Sequence, residues 1–228
     1  MSGIGLLNEK SLHASLKEWY AQPGDKFEVK VDGYVIDIVR DNLLIEIQTG
    51  SFVSIRSKLN NLIQSHRVRL VYPVAQEKWI VKLSKNSDAE LSRRKSPKQG
   101  RVEQVFREMV SFPKLIANPN FSIEILMIQE EEWRRHYNGK RNWRRRGWGT
   151  VERHLLEVMD KKLFEKPTDW LALLPDALNK SFTTKDLSET TGMRKSLAQK
   201  MVYCFRKVEL IKLTGKIGRY NLYMDHKS

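Results

Sequence analysis

The chain of 228 residues is long enough for one large domain or two modest ones, and it can bury a hydrophobic core in either case. It contains no apolar run of about 18 residues and no signal-peptide pattern, so we expect a soluble, cytoplasmic protein without a membrane partner. The single cysteine, Cys204, excludes an internal disulfide framework and cannot form a thiolate zinc site alone.

The formal net charge of +14 is concentrated in two basic segments. Five basic residues lie in residues 92–101 and seven in residues 134–146, and neither segment contains an acid. Concentrated positive charge is typical of proteins that bind a phosphate backbone, although a solubilising linker is the alternative. The residues of these segments that we assign to nucleic-acid binding are Arg93, Arg94, Lys95, Arg144, Arg145 and Arg146.

The first 85 residues predict the order helix, three strands, helix, two strands. Apolar residues at helical spacing indicate helices over 8–20 and 54–65. Short runs bounded by turns indicate five strands, over 27–31, 34–40, 43–48, 68–74 and 79–83. The dipeptides Asp32-Gly33 and Asp41-Asn42 are typical of tight hairpin turns.

The middle of the chain gives weaker signals. Residues 85–100 are polar and predict a mobile link, or a loop that only a partner orders. A helix over 102–110 and a strand over 121–129 follow. Residues 133–148 mix arginines with aromatic residues, which suits base stacking, although tryptophans that anchor a loop on a domain explain the pattern equally well.

The remaining residues predict helices over 151–164, 168–174, 184–190 and 195–208, and then a hairpin of strands over 210–213 and 220–223. A helix, a turn, a second helix and a basic-tipped hairpin are typical of a winged helix, in which one helix enters the major groove of DNA. The residues predicted to contact DNA through this part are Arg194, Lys195, Gln199, Lys200, Lys216 and Arg219.

Two carboxylates interrupt the apolar runs of neighbouring strands. Asp37 lies in the second predicted strand and Glu46 in the third. A buried ionised carboxylate needs a compensating partner, and two that lie side by side favour a hard divalent cation. We therefore predict that both are magnesium ligands. The alternatives are an Asp37 that faces solvent and a Glu46 that forms a salt bridge with Arg40 or Lys82.

With eight residues between Asp37 and Glu46-Ile47-Gln48, within this order of elements, the chain resembles the PD-(D/E)XK nuclease superfamily. The resemblance implies that Asp37, Glu46 and the Ile47 carbonyl surround one Mg²⁺ or Mn²⁺ ion. It also implies that an acid of the first helix helps to bind the metal, which makes Glu9 a candidate ligand. An exposed start of that helix is the alternative for Glu9.

One position departs from the superfamily pattern, because Gln48 stands where a lysine is usual. A neutral amide can orient a water molecule, but it cannot stabilise the charge of a phosphorane as an ammonium does. Lys58 or Arg56 in the following helix could supply the missing cation. The predicted catalytic residues are therefore Asp37, Glu46, Gln48 and Lys58.

These signals together predict an α/β protein. A restriction-endonuclease-like αβββαββ core with a mixed sheet flanked by helices would occupy residues 1–132, with its motifs in 1–85 and a basic loop over 86–101. A basic aromatic linker would cover 133–150, and an α+β winged-helix domain 151–228.

The function that we expect is magnesium-dependent hydrolysis of DNA phosphodiester bonds by a cytoplasmic nuclease that docks on duplex DNA. The alternatives are a catalytically inactive, nuclease-like DNA-binding protein with a regulatory or assembly role, and a winged helix that contacts protein. The sequence allows a homodimer.

Overall fold

The computed structural model describes residues 11–137 and 147–225 and shows an α/β protein with a mixed sheet flanked by helices. The α-helices are Leu12–Tyr20 (α1), Arg56–Leu62 (α2), Phe106–Met109 (α3), Pro167–Leu171 (α4), Thr184–Thr191 (α5) and Lys195–Lys207 (α6). Short 3-10 helices cover Phe52–Ile55, Val102–Val105 and Pro113–Ala117. The strands are Lys26–Val31 (β1), Tyr34–Arg40 (β2), Leu43–Ile47 (β3), Arg67–Leu83 (β4), Glu90–Lys95 (β5), Phe121–Tyr137 (β6), Gly147–Phe164 (β7), Ser181–Thr183 (β8), Ile211–Ile217 (β9) and Tyr220–Asp225 (β10).

The large sheet has seven strands in the hydrogen-bonded order β1-β2-β3-β4-β6-β7, with β5 paired to β4. Strands β1, β2 and β3 pair antiparallel, whereas β3 and β4 pair parallel. The parallel pair requires a crossover, and α2 lies within it. The predicted order of helix, three strands, helix and strand is confirmed up to this point.

The chain divides into two compact units. The first comprises residues 1–24, 73–101 and 126–161, and the second comprises 25–72, 102–125 and 162–228. Within the described residues, the first unit therefore contains α1, β5 and parts of β4, β6 and β7. The second contains β1 to β3, helices α2 to α6 and the smaller sheet β8-β10-β9.

Two tight turns fix the register of the β1-β2-β3 meander. Val31 pairs with Tyr34, so Asp32 and Gly33 alone close the first hairpin, with φ angles of 49° and 81°. Positive φ at both central residues defines the turn whose twist matches antiparallel strands, and it suits Asp-Gly. The predicted hairpin turn is confirmed. The meander places the residues of β2 and β3 opposite one another.

The elements from β8 to β10 follow strong local signals. Thr183 caps α5, because its hydroxyl accepts a hydrogen bond from the Asp186 amide (3.2 Å) while the Asp186 carboxylate accepts one from the Thr183 amide (2.8 Å). Gly192, at φ 68°, ends α5 in the left-handed conformation that glycine adopts readily. The helices predicted over 184–190 and 195–208, with a turn between them, are confirmed. The inward face of α6 comprises Leu197, Ala198, Met201, Val202, Cys204 and Phe205.

The helix predicted over residues 151–164 is wrong, because these residues belong to the 18-residue strand β7. Apolar side chains at Val151, Leu155, Met159 and Leu163 recur every four residues. This spacing places side chains on one face of a helix, but an even spacing also places them on one face of a strand. Pairing with β6 selects the strand.

The polar link predicted over residues 85–100 is also wrong over part of its length, since Glu90–Lys95 forms β5 on β4. Each residue of β5 is exposed, so no hydrophobic alternation reveals the strand. Basic side chains of β5 make cation–π contacts with β4 in place of apolar contacts. The Arg93 guanidinium and the Lys95 ammonium each lie 5.2 Å from the centre of the Trp79 ring.

Two further strands differ from the prediction in length. The separate strands predicted over 68–74 and 79–83 form the single strand β4, and the strand predicted over 121–129 extends to Tyr137.

Gly100 explains how the chain returns along β4. Its amide donates to the Gln76 carbonyl (3.2 Å), and a Cβ there would lie 2.2 Å from the Ala75 oxygen. Only glycine permits this close approach.

Cys204 provides a first test of the packing of α6. The thiol is fully buried, and this burial raises its pKa to about 12. Because the thiolate is the reactive form, we expect no measurable reaction with a thiol-specific disulfide reagent at pH 8 in the folded protein. Stoichiometric reaction is expected in guanidinium chloride, as absorbance of the released chromophore would show. Rapid labelling of the folded protein would contradict the packing.

Among the described residues, no helix has the length and apolar character needed to cross a membrane.

Candidate active site at the end of the β2–β3 pair

Asp37 and Glu46 meet at the open end of the β2–β3 pair. The backbone pairing of these strands ends at Ile38 and Ile45, and the two carboxylates continue it. The Asp37 Oδ2 atom accepts a hydrogen bond from the Ile47 amide at 2.9 Å, and Glu46 Oε1 accepts a longer one from the Asp37 amide at 3.4 Å. Asp37 is half-buried and Glu46 is buried, so neither is simply a solvent-facing carboxylate.

Lys58 of α2 completes this group. Its Nζ atom lies 2.5 Å from Glu46 Oε1 and donates a hydrogen bond to the Val35 carbonyl, also at 2.5 Å. Of the two cations that the sequence offered, Lys58 therefore joins the carboxylates. Arg56, two residues earlier, is exposed. The alternative pairing of Glu46 with Arg40 is not formed, because Arg40 binds Asp25 through two hydrogen bonds of 2.8 Å.

The pKa of Glu46 is raised above its ordinary value of 4.5. Burial is the largest cause, because it penalises the charged form, and the neighbouring Asp37 charge acts in the same direction. The hydrogen bond and charge of Lys58 lower the pKa without fully compensating. The effect of Asp37 on Glu46 shows that the two carboxylates share one electrostatic environment.

This raised pKa predicts that Glu46→Gln stabilises the protein at neutral pH. The folded state disfavours the ionised Glu46 carboxylate, so ionisation of this group lowers the stability of the fold. The loss of stability is absent below pH 4.5 and fully present once the pH exceeds the raised pKa. We therefore expect Tm to rise at pH 7–8, by about 2–4 °C for each 1 kcal/mol, and the difference to vanish toward pH 4.

Thermal unfolding followed by circular dichroism from pH 4 to 8 measures this effect. Glu189→Gln is the matched control, since Glu189 is exposed on α5 and forms a loose ion pair of 3.7 Å with Lys185. A variant Glu46→Gln that is less stable than the native chain at pH 8 would show that the Lys58 ion pair outweighs the cost of burial.

Gln48 lies at the end of β3 but serves the following turn. Its Nε2 atom donates to the Ser51 carbonyl and the Ser54 hydroxyl, both at 2.9 Å, and its Oε1 atom accepts from the Gly50 amide at 3.3 Å. Each polar atom of the amide therefore contacts the 48–54 segment. This arrangement gives Gln48 a positioning role for the chain that enters α2.

Glu108 of α3 is a positioning residue that the sequence analysis did not identify. Its Oε2 atom accepts hydrogen bonds from the Ser51 hydroxyl (3.1 Å) and the Phe52 amide (3.0 Å), at the start of the 3-10 helix that precedes α2. A carboxylate at this position satisfies amides that lack a partner within the helix. Glu108 and Gln48 thus fix the segment that carries Lys58.

The donor atoms of this site suit a hard divalent cation. Magnesium is usually held by one or two carboxylates, with water and substrate phosphate as its other ligands. Asp37, Glu46 and the Ile47 carbonyl provide oxygen atoms of this kind. Within residues 11–137 and 147–225, no group of three or more His, Cys, Asp or Glu side chains that could hold a metal is present. The predicted ligand Glu9 lies outside the described residues.

Three of the DNA contacts predicted in the basic segments lie within the described residues, and two of these three are paired with acids. Arg93 contacts Glu131 at 2.6 Å and Lys95 contacts Glu77 at 2.7 Å. Arg94 is exposed on β5. The predicted contacts Arg144, Arg145 and Arg146 lie outside the described residues.

The predicted contacts near α6 occupy different environments. Arg194 is the residue before the first turn of α6, and Lys195 and Gln199 are exposed on the helix. Lys200 is half-buried, with its Nζ atom 3.5 Å from the Arg107 carbonyl of α3. The remaining two, Lys216 and Arg219, are exposed on either side of the turn between β9 and β10.

Comparison with known proteins gives a family for this chain. Residues 10–165, which include Asp37, Glu46 and Lys58, match a family described as "Domain of unknown function (DUF8091)". An "Uncharacterized protein" of Treponema pallidum (strain Nichols) is 30% identical over 229 residues, which cover 96% of this chain and 86% of the relative. No solved structure gives a significant match. Because the match extends over more than half of its length, the chain belongs to the DUF8091 family.

Proposed function

We propose that this chain is a metal-dependent nuclease that hydrolyses DNA phosphodiester bonds. The observation that carries the proposal is the meeting of Asp37, Glu46 and Lys58 at the end of the β2–β3 pair. Two carboxylates and one ammonium on adjacent strands and the following helix are the groups that phosphodiester hydrolysis requires: ligands for a metal and a cation for the developing negative charge.

The order of the elements gives the second support. Helix α1, the β1-β2-β3 meander, α2 and the parallel strand β4 follow the order expected of the PD-(D/E)XK superfamily, and the two carboxylates occupy the strands expected of them. We propose a restriction-endonuclease-like fold for this part of the chain on that basis.

Each residue of the site has a separate role in the proposal. Asp37, Glu46 and the Ile47 carbonyl would hold Mg²⁺ or Mn²⁺, with Glu9 as a further candidate. A bound ion would polarise the scissile phosphate and lower the pKa of an attacking water. Lys58, held beside Glu46, would stabilise the negative charge of the phosphorane in place of the usual lysine at position 48.

The carboxy-terminal elements support DNA as the substrate. Helices α5 and α6, separated by Gly192, Met193 and Arg194 and followed by the β9–β10 hairpin, follow the order expected of a winged helix. We propose that this part docks on DNA through Arg194, Lys195, Gln199, Lys200, Lys216 and Arg219. The basic residues outside it would add contacts with the phosphate backbone.

Cleavage of supercoiled plasmid DNA tests the proposal. We expect nicked and linear products with Mg²⁺ or Mn²⁺ and none with EDTA. If the protein cleaves the plasmid with neither Mg²⁺ nor Mn²⁺, at protein concentrations that bind the plasmid fully, the nuclease assignment is overturned.

One observation favours a second candidate, a nuclease-like DNA-binding protein without catalysis. Gln48 replaces the usual lysine and its amide is occupied by the 48–54 turn, so the activity would depend on Lys58 alone. DNA binding that persists in EDTA and weakens with salt, without cleavage in any metal, would select this candidate.

A further inference from the structure

We propose that the groove between α6 and β10 binds an unpaired segment of DNA, with Tyr203 stacking on a base and Lys195, Arg206 and Arg219 contacting phosphates. This inference deepens the proposed DNA binding by naming the form of the substrate, and it rests on that proposal only for the identity of the polymer. The groove lies within one compact unit and has a volume of about 550 Å³. Its ten lining residues are Thr184, Lys195, Gln199, Val202, Tyr203, Arg206, Arg219, Tyr220, Asn221 and Tyr223.

Among the residues that the structure describes, no carboxylate forms an ion pair with the cations of this groove. Three of the ten lining residues are basic and none is acidic. In the basic segments, by contrast, Arg93 and Lys95 each form an ion pair with a glutamate. Cations that retain their positive field can attract an anion, whereas those already paired contribute little. The groove is therefore better suited to bind phosphate than the more basic strand β5.

Tyrosine rings hold these cations in place. Lys195 lies 4.7 Å from the centre of the Tyr220 ring, and Arg219 lies 5.2 Å from it while donating a hydrogen bond of 3.1 Å to its hydroxyl. Arg206 lies 5.9 Å from the Tyr223 ring. A cation over an aromatic face keeps its charge and loses conformational freedom before the ligand arrives. The groove is therefore arranged in advance for anion binding.

Tyr203 gives the groove a surface for a base. Its side chain is 44% exposed at the middle of the outer face of α6, one turn from Gln199. Stacking on an aromatic ring requires a free base face, and bases within a duplex already stack on their neighbours. The groove, with a volume of about 550 Å³, is large enough to hold a small ligand such as one nucleotide. These features favour an unpaired nucleotide.

Fluorescence anisotropy with the full chain in EDTA tests this inference without any cleavage. The probes are a labelled oligothymidine of about 15 nucleotides and a blunt duplex of the same length. We expect tighter binding of the oligothymidine. Tyr203→Ala should weaken it about tenfold, since one stacked base contributes about 1–3 kcal/mol, whereas Tyr203→Phe should retain it.

Charge variants test the phosphate contacts. The double variant Lys195→Gln, Arg219→Gln should reduce the slope of log affinity against log salt by about 1.4, because each phosphate contact to a single strand contributes about 0.7. Lys212→Gln is the matched control, since Lys212 is exposed on β9 and does not line the groove. This control should change the affinity less than twofold.

Three results would overturn the inference: equal or tighter binding of the blunt duplex, an unchanged affinity of Tyr203→Ala, or competition by oligoglutamate as effective as that by unlabelled oligothymidine. The last result would identify a site for acidic protein segments. Because these measurements need no metal, they can succeed when plasmid cleavage fails, and cleavage can occur when they fail.

Discussion

Replacing Asp37 with asparagine is expected to lower the rate of metal-dependent DNA cleavage by about 10²–10³-fold or more. Asparagine keeps the size of the side chain, and its carbonyl oxygen can still accept the hydrogen bond that the Ile47 amide donates at 2.9 Å. The substitution removes one negative charge from the proposed metal ligands and leaves the end of the β2–β3 pair intact. Lost activity would then reflect lost metal binding rather than unfolding.

Single-turnover nicking of supercoiled plasmid in Mn²⁺ or Mg²⁺ measures the rate, and titration with Mn²⁺ followed by electron paramagnetic resonance measures metal binding. Asp32→Asn is the matched control, because Asp32 lies in the β1–β2 turn, is exposed and contacts only His66 in the described ion pairs. The control should cleave at the native rate. Native cleavage and Mn²⁺ binding by Asp37→Asn would remove the metal site from this position.

The parts of the site that the sequence predicts are those that depend on short-range signals. Asp37 and Glu46 lie on neighbouring strands joined by a two-residue turn, so the pairing of their strands follows from local turn chemistry and strand periodicity. Lys58 lies in the next helix along the chain. The sequence pattern leaves two candidates, Lys58 and Arg56, for the cation of the site. Only the packing of α2 places Lys58, rather than Arg56, beside Glu46.

The parts that the sequence does not reveal depend on contacts distant in the chain. Glu108 contacts Ser51 and Phe52, which lie 57 and 56 positions earlier in the chain. No local sequence pattern marks such a glutamate. Strand β5 is missed for a different reason: its stabilising contacts are ion pairs and cation–π contacts, which leave no hydrophobic alternation. In β7, spacing by four residues fits both a helix and a strand, so the neighbouring strand decides between them.

Replacing Phe106 with alanine is expected to lower the free energy of unfolding by about 3–5 kcal/mol. Phe106 is completely buried, with its ring centre 5.5 Å from that of Trp170 and 5.3 Å from that of Phe205. Trp170 in turn lies 4.6 Å from Phe164. The substitution would remove a large apolar side chain of α3 that packs against α4 and α6, and these two helices would limit relaxation around the cavity.

Urea unfolding monitored by tryptophan fluorescence and by circular dichroism measures the loss. Phe27→Ala is the matched control, because Phe27 on β1 is 47% exposed and its removal should cost less than about 1 kcal/mol. A loss below about 1 kcal/mol for Phe106→Ala would show that the site collapses around the missing ring. Phe106 links α3, which carries Glu108, to α6, which lines the groove between α6 and β10. We therefore expect both probes to report one shared transition at lower urea concentration.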